Sequence, residues 1–145
     1  MTLYVRRIHP HAVLPARATE QSAGFDLCAC IREPMTIAAG RTGLVPTGLA
    51  FALPEGSAGL IYARSGLGVR HGLAPANAVG VIDADYRGEV IVGLHNHSDT
   101  DYTIKPGERI AQLVVAPVWA PIVEECAVLP ETDRGERGFG STGRL

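Results

Sequence analysis

The chain has 145 residues, 46% of them hydrophobic, and carries 13 Lys and Arg against 15 Asp and Glu for a formal net charge of -2. That length fits one domain around a single core. The charge is interspersed, with no basic run longer than Arg6-Arg7, which excludes the electrostatic footprint of a protein that grips polymeric DNA or RNA. No apolar run is long enough for a secretory signal or a membrane span, so the sequence reads as a soluble cytoplasmic protein without a membrane partner.

Seventeen glycines and ten prolines interrupt the chain so often that helical periodicity is hardly sustained anywhere. Short strands are predicted instead at residues 3–8, 24–29, 35–37, 41–46, 49–52, 57–63, 79–82, 89–96, 102–104 and 109–117, broken by turns such as Pro54-Glu55-Gly56 and Pro106-Gly107-Glu108. One short helix is expected near 65–67, weakened by Gly66 and Gly68. Strands of this length and spacing imply an all-β sandwich, jelly roll or distorted barrel. Cys28, Cys30 and Cys126 lack redox or zinc spacing and read as reduced small hydrophobes, and Trp119 reads as a packing residue. From Arg134 the composition changes to RGERGFGSTGRL, expected to be a mobile lid (134–145) on a single body (1–133).

The most informative stretch is Gly80 to Glu89, GVIDADYRGE, flanked by strand-like Val79-Gly80-Val81-Ile82 and Val90-Ile91-Val92. Read as a hairpin arm, its alternation places Asp83 and Asp85 on one face and Ile82, Ala84 and Tyr86 on the other. Taken alone, the aspartates equally suit a turn with Gly88. Asp26, within Ala23-Gly24-Phe25-Asp26-Leu27, is an acid among apolar residues and needs a partner, either an arginine or a magnesium ion reached through water. Arg64-Ser65-Gly66 sets a guanidinium and a hydroxyl beside a glycine just after a strand, which suits a phosphate. Gln112 is a polar residue in the apolar run Ile110-Ala111-Gln112-Leu113-Val114.

The tail's Gly138-x-Gly140-x-x-Gly143 fails as a dinucleotide fingerprint because only Arg144 and Leu145 follow, leaving no helix to receive phosphates. Its glycines, Ser141, Thr142, Arg134 and Arg137 still supply backbone, hydroxyl and guanidinium donors for an anion. His95-Asn96-His97 puts two imidazoles on one strand face, a spacing found in metal sites and in ordinary strands alike, with no third ligand at telling spacing.

Together these segments resemble the five ordered motifs of the trimeric dUTP diphosphatase (dUTPase) family. The matching segments are Ala23 to Leu27, Arg64 to Leu67, Asn77 to Gly88, Gly107 to Leu113 and Arg134 to Gly143. Departures are mild: Phe25 stands where tyrosine is common, Ala63 where proline often precedes the arginine, Gly68 where alanine is usual, and Ala78-Val79 at a variable point. The resemblance implies a distorted jelly-roll barrel assembled as a homotrimer, with active sites shared between subunits, and Mg²⁺-assisted hydrolysis of dUTP to dUMP and pyrophosphate. It implies Asp83 as the residue that readies the attacking water, and Arg64, Ser65, Gly66, Gln112, Arg134, Gly140, Ser141 and Thr142 on the phosphates. Asn77, Gly80, Val81, Ile82, Asp83, Tyr86 and Phe139 fall to the uracil and deoxyribose, and Asp26 to the metal through water. Two alternatives share the pattern in part: a dCTP deaminase, alone or bifunctional, and a jelly roll that binds nucleotide without catalysis.

Overall fold

The computed structural model describes residues 1–138. Among them the chain forms β1 (Tyr4–Arg7), β2 (Phe25–Cys28), β3 (Met35–Ile37), β4 (Thr42–Pro46), β5 (Leu49–Ala52), β6 (Ser57–Tyr62), α1 (Ser65–His71), β7 (Leu73–Pro75), β8 (Gly80–Ile82), β9 (Ile91–Asn96), β10 (Tyr102–Ile104) and β11 (Arg109–Pro117). Every pairing is antiparallel. A four-stranded sheet in the order β2-β11-β6-β8 and a three-stranded sheet β4-β9-β7 are completed by the pairs β1-β5 and β3-β10. The result is a distorted jelly-roll barrel. No helix among the described residues is long and apolar enough to cross a membrane.

The sheets close over one core because their strands alternate. On β9, Val92, Leu94 and Asn96 point inward while Ile91, Gly93 and His95 point out. Leu27, Leu49, Leu73, Leu94, Ile104 and Ile110 are fully buried, one from each of six strands, so no single sheet supplies the core. Burying each such leucine or isoleucine contributes roughly 1.5–3 kcal/mol. Asn96 is buried among them at no net polar cost. Its Nδ2 donates to the carbonyls of Ile37 and Thr100, and its Oδ1 accepts from the N–H and hydroxyl of Ser98.

Four sequence expectations change. The helix is a full element, Ser65–His71, because Leu67 buries against the core and Gly72 closes the C-terminus in the left-handed region at φ 66°. Strand β7 went unforeseen: Leu73-Ala74-Pro75 is too short for a pattern, and only its pairing with β9 makes it a strand. Segments 79–82 and 89–96 are not the arms of a hairpin, since β8 pairs with β6 whereas β9 pairs with β4 and β7. Trp119 is 97% exposed and Cys126 is exposed, so neither packs within its own chain. The barrel strands end at Pro117, and residues 118–138 are exposed.

Candidate active site

Five of the expected site residues converge at one end of the four-stranded sheet. Across β11 and β2, Gln112 sits opposite Asp26, and across β11 and β6 it sits opposite Tyr62, two residues before Arg64. Directly opposed residues share a face, so Asp26 and Gln112 emerge side by side. Asp26, Arg64, Ser65, Gly66 and Gln112, with Ser22, Ala23 and Gly24, line a polar cavity of about 320 Å³. Gly24 is required by this packing: a Cβ there would lie 2.7 Å from Gln112 Oε1. Gln112 Nε2 donates to the carbonyl of Ala63 at 2.9 Å, tying the amide to the strand end that carries Arg64.

Asp26 has two arginine partners. Its Oδ1 accepts from Arg64 Nε at 2.8 Å and its Oδ2 from Arg109 Nη1 at 3.1 Å. Arg64 also donates from Nη1 to the Arg109 carbonyl at 3.4 Å, which cross-links β11 to the loop before α1. Arg109 was not foreseen as part of this group. The irregular register between Arg109 and Ala111 turns it toward Asp26, and such a bulge leaves no mark in composition. Among the described residues no cluster of three or more His, Cys, Asp or Glu is placed to hold a metal ion.

The remaining expected residues lie elsewhere on the same chain. Asn77, Gly80, Val81 and Ile82 line a smaller cavity of about 110 Å³ with Ile61, Pro75, Ile91 and Gly93. Asp83 and Tyr86 line an adjoining one of about 250 Å³ with Val81, Ile82, Glu89 and Val90. Strand β8 is at the edge of its sheet, so the backbone groups that β6 leaves free along 80–82 are open to a ligand. The turn before it is strained. Ala78 has φ 63°, and Val79 N–H reaches back to the Asn77 carbonyl at 2.7 Å, a tight three-residue turn that costs on the order of 1–3 kcal/mol in a residue with a Cβ.

Asp83 does not continue the strand, and Asp83 and Asp85 do not share a strand face as the alternation predicted. The chain turns after Ile82, with Tyr86 N–H donating to the Asp83 carbonyl at 3.1 Å, and leaves both carboxylates exposed. The turn is braced by Tyr86, whose hydroxyl donates to the Glu89 carbonyl, and by Arg87, which donates to the carbonyls of Ala84 and Tyr86. Glu89 in turn accepts from Gly48 N–H at 2.7 Å, anchoring the segment to the barrel.

Register fixes how far apart these two groups are. Ile82 sits opposite Gly59 on β6, and Arg64 lies five residues further along, roughly 16 Å at strand rise. Asp83 is thus directed away from the cavity of Arg64 and Gln112 in its own chain. Arg134 is exposed, with Nε bonded to the Arg137 carbonyl, and belongs to neither cavity. Phe139, Gly140, Ser141 and Thr142 lie outside the described residues.

The dUTPase family model matches residues 10–143. The chain belongs to the dUTPase family. It is 47% identical over 143 residues to the deoxyuridine 5'-triphosphate nucleotidohydrolase of Syntrophotalea carbinolica, covering 99% of this chain and 97% of that one. It is 52% identical over 130 residues to the protein of the same name from Rickettsia felis, covering 90% and 88%. Among solved structures it is similar to a variant of the Staphylococcus bacteriophage 80alpha dUTPase with dUpNHpp, at a TM-score of 0.89 and 29% identity over 98% of both chains. It is also similar to a dUTPase variant from phage phi11 of S. aureus that coordinates a structural Mg(II) ion, at a TM-score of 0.82 and 25% identity, covering 90% of this chain and all of that one.

Proposed function

We infer that this chain hydrolyses dUTP to dUMP and pyrophosphate, as a homotrimer whose active sites each draw on more than one subunit. The single observation that carries the shared site is the separation of Asp83 from the Arg64 and Gln112 cavity along β6. A carboxylate that readies water for in-line attack at phosphorus must stand within hydrogen-bond reach of that water, and one chain cannot bring it to its own phosphate donors. A second copy can.

In this reading the triphosphate enters the polar cavity, where Arg64, Ser65, Gly66 and Gln112 meet its oxygens and supply the donors that stabilise charge in the transition state. Asp83 of a neighbouring copy orients the water and accepts its proton. Asn77, Gly80, Val81 and Ile82 read the uracil edge with open strand backbone, which imitates a base pair. Tyr86, its hydroxyl held on Glu89, lies against the deoxyribose and leaves no room for a 2′-hydroxyl. Arg134, Phe139, Gly140, Ser141 and Thr142 arrive from the tail, with Phe139 stacking on the base at roughly 1–3 kcal/mol.

Magnesium fits this donor set. Asp26 spends one contact of each oxygen on an arginine and keeps lone pairs for the water shell of an ion held mainly by phosphate oxygens. When bound, the ion supplies charge neutralisation to the triphosphate. In the cytoplasm the reaction limits uracil entry into DNA and provides dUMP for thymidylate synthesis.

Pyrophosphate release from dUTP, dCTP, dTTP and UTP, with and without Mg²⁺, tests the reading. Release from dUTP alone, strongly Mg²⁺-dependent, is expected. Ammonia release from dCTP, or tight dUTP binding without pyrophosphate, overturns it.

A further inference from the structure

The nucleotide site leaves His95 and His97 unused, and the barrel holds them in a defined relation on the outer face of the β4-β9-β7 sheet. They are two residues apart at the end of β9, with ring centroids 4.4 Å apart and planes inclined at 64°, edge to face. Between them Asn96 is completely buried, and its amide makes four hydrogen bonds, so the backbone carrying both imidazoles is fixed. His97 is further pinned by its N–H on the Gly72 carbonyl at 2.8 Å. His95 faces Thr42 across the β4-β9 register, and Thr42 Oγ1 lies 2.9 Å from His95 Nδ1. With that hydroxyl accepting from Nδ1–H, the ring presents its lone pair at Nε2, the arrangement by which a neighbouring acceptor orients a metal-ligating histidine.

We propose that His95 and His97 form a bidentate chelate for a divalent transition ion of the Cu²⁺, Ni²⁺ or Zn²⁺ class. Imidazole nitrogen selects these ions, whereas Mg²⁺ prefers oxygen, so the site is chemically separate from the cation used with the nucleotide. Among the described residues no third His, Cys, Asp or Glu joins the pair, so water completes the coordination. That open geometry suits tetragonal Cu²⁺ or Ni²⁺ better than the closed tetrahedron of a structural zinc. The other closely spaced pair, His9 and His11, is less prepared. Its centroids are 5.3 Å apart, it lies beyond the end of β1, and His9 Nδ1 is already approached by Cys30 Sγ at 3.4 Å and His11 N–H at 3.3 Å.

The test is a Cu²⁺ titration of the full-length assembled protein in excess Mg²⁺, followed by electron paramagnetic resonance. The expected spectrum shows nitrogen coupling from two imidazoles at one equivalent per chain. His97→Asn should lose that equivalent, His11→Asn should keep it, and Thr42→Val should weaken it severalfold. In the unaltered protein, substoichiometric Ni²⁺ should broaden the ring signals of His95 and His97 before those of His9, His11 and His71, a readout that needs no variant to fold. Unchanged Cu²⁺ stoichiometry in His97→Asn, or broadening that begins at His9 and His11, overturns the proposal.

Discussion

The polar cavity around Asp26 and the turn at Asp83 differ in their degree of enclosure. Around Asp26 the main polar groups are held before substrate arrives: the carboxylate by two guanidiniums and the amide nitrogen of Gln112 by a carbonyl, on strands paired on both sides of β11. Arg64 is held by Nε and keeps part of its guanidinium for a ligand. At the turn, by contrast, Asp83, Asp85 and Tyr86 are exposed, braced through their own backbone, Arg87 and Glu89. A cavity that must hold several negative charges has to be built in advance, because reorganising arginines during reaction costs free energy. A carboxylate that serves another chain's cavity has to project.

The largest effect should come from the exposed side of this contrast. Asp83→Asn is expected to lower kcat by about a thousandfold or more while nucleotide affinity changes by less than about tenfold, because it removes a base and leaves the donors in place. Steady-state kinetics beside equilibrium dUTP binding would separate the two, and retained turnover would move the role to Asp85. Deleting 134–145 should come next, with almost all activity lost and an unchanged melting profile. Unfolding of the truncated chain would show that the tail belongs to the body.

On the enclosed side, Arg64→Ala should cost about a hundredfold in kcat/KM by withdrawing a guanidinium from the phosphates. Combined with the first variant it also tests the geometry. Mixing denatured Asp83→Asn and Arg64→Ala chains and refolding them together should restore activity at about a quarter of the sites if a neighbour completes each one in a symmetric assembly. No recovery would place both residues in one chain's site. Asn96→Ala tests the buried polar anchor of β9. It withdraws the side-chain donor from the Ile37 carbonyl and the acceptor from Ser98 N–H, and should lower stability by about 1–3 kcal/mol in denaturant titration.

The smallest effect concerns pH. The Tyr102 hydroxyl donates to Glu108 Oε1 at 2.5 Å, and burial, followed by that bond and the nearby carboxylate, pushes the phenol up to about 12 from its ordinary 10.0. The folded state therefore keeps a proton that the unfolded state releases first. Its contribution is fully present below about pH 10 and declines as pH rises toward about 12. Tyr102→Phe should flatten the fall of melting temperature across that window.

Much of the fold was legible because antiparallel strands with one buried face carry their own alternation, and Gly and Pro mark where they stop. Strands 35–37, 49–52, 102–104 and 109–117 coincide with β3, β5, β10 and β11. The polar residues of the Asp26 cavity were legible because acids and amides are rare in apolar strands and so stand out at Asp26 and Gln112. Arg109 did not stand out, since an arginine at a strand start is ordinary until a bulge aims it.

The sequence by itself determined the all-β character, the five motifs in order and the residue types able to meet a triphosphate, because these depend on local composition and spacing. Only the tertiary structure decided that β8 joins β6 and not β9, that Asp26 is held by two arginines, and that Asp83 lies far along β6 from its own chain's polar cavity. Strand pairing is a nonlocal choice made by burial and backbone hydrogen bonding across the whole barrel, and short segments do not encode their partners.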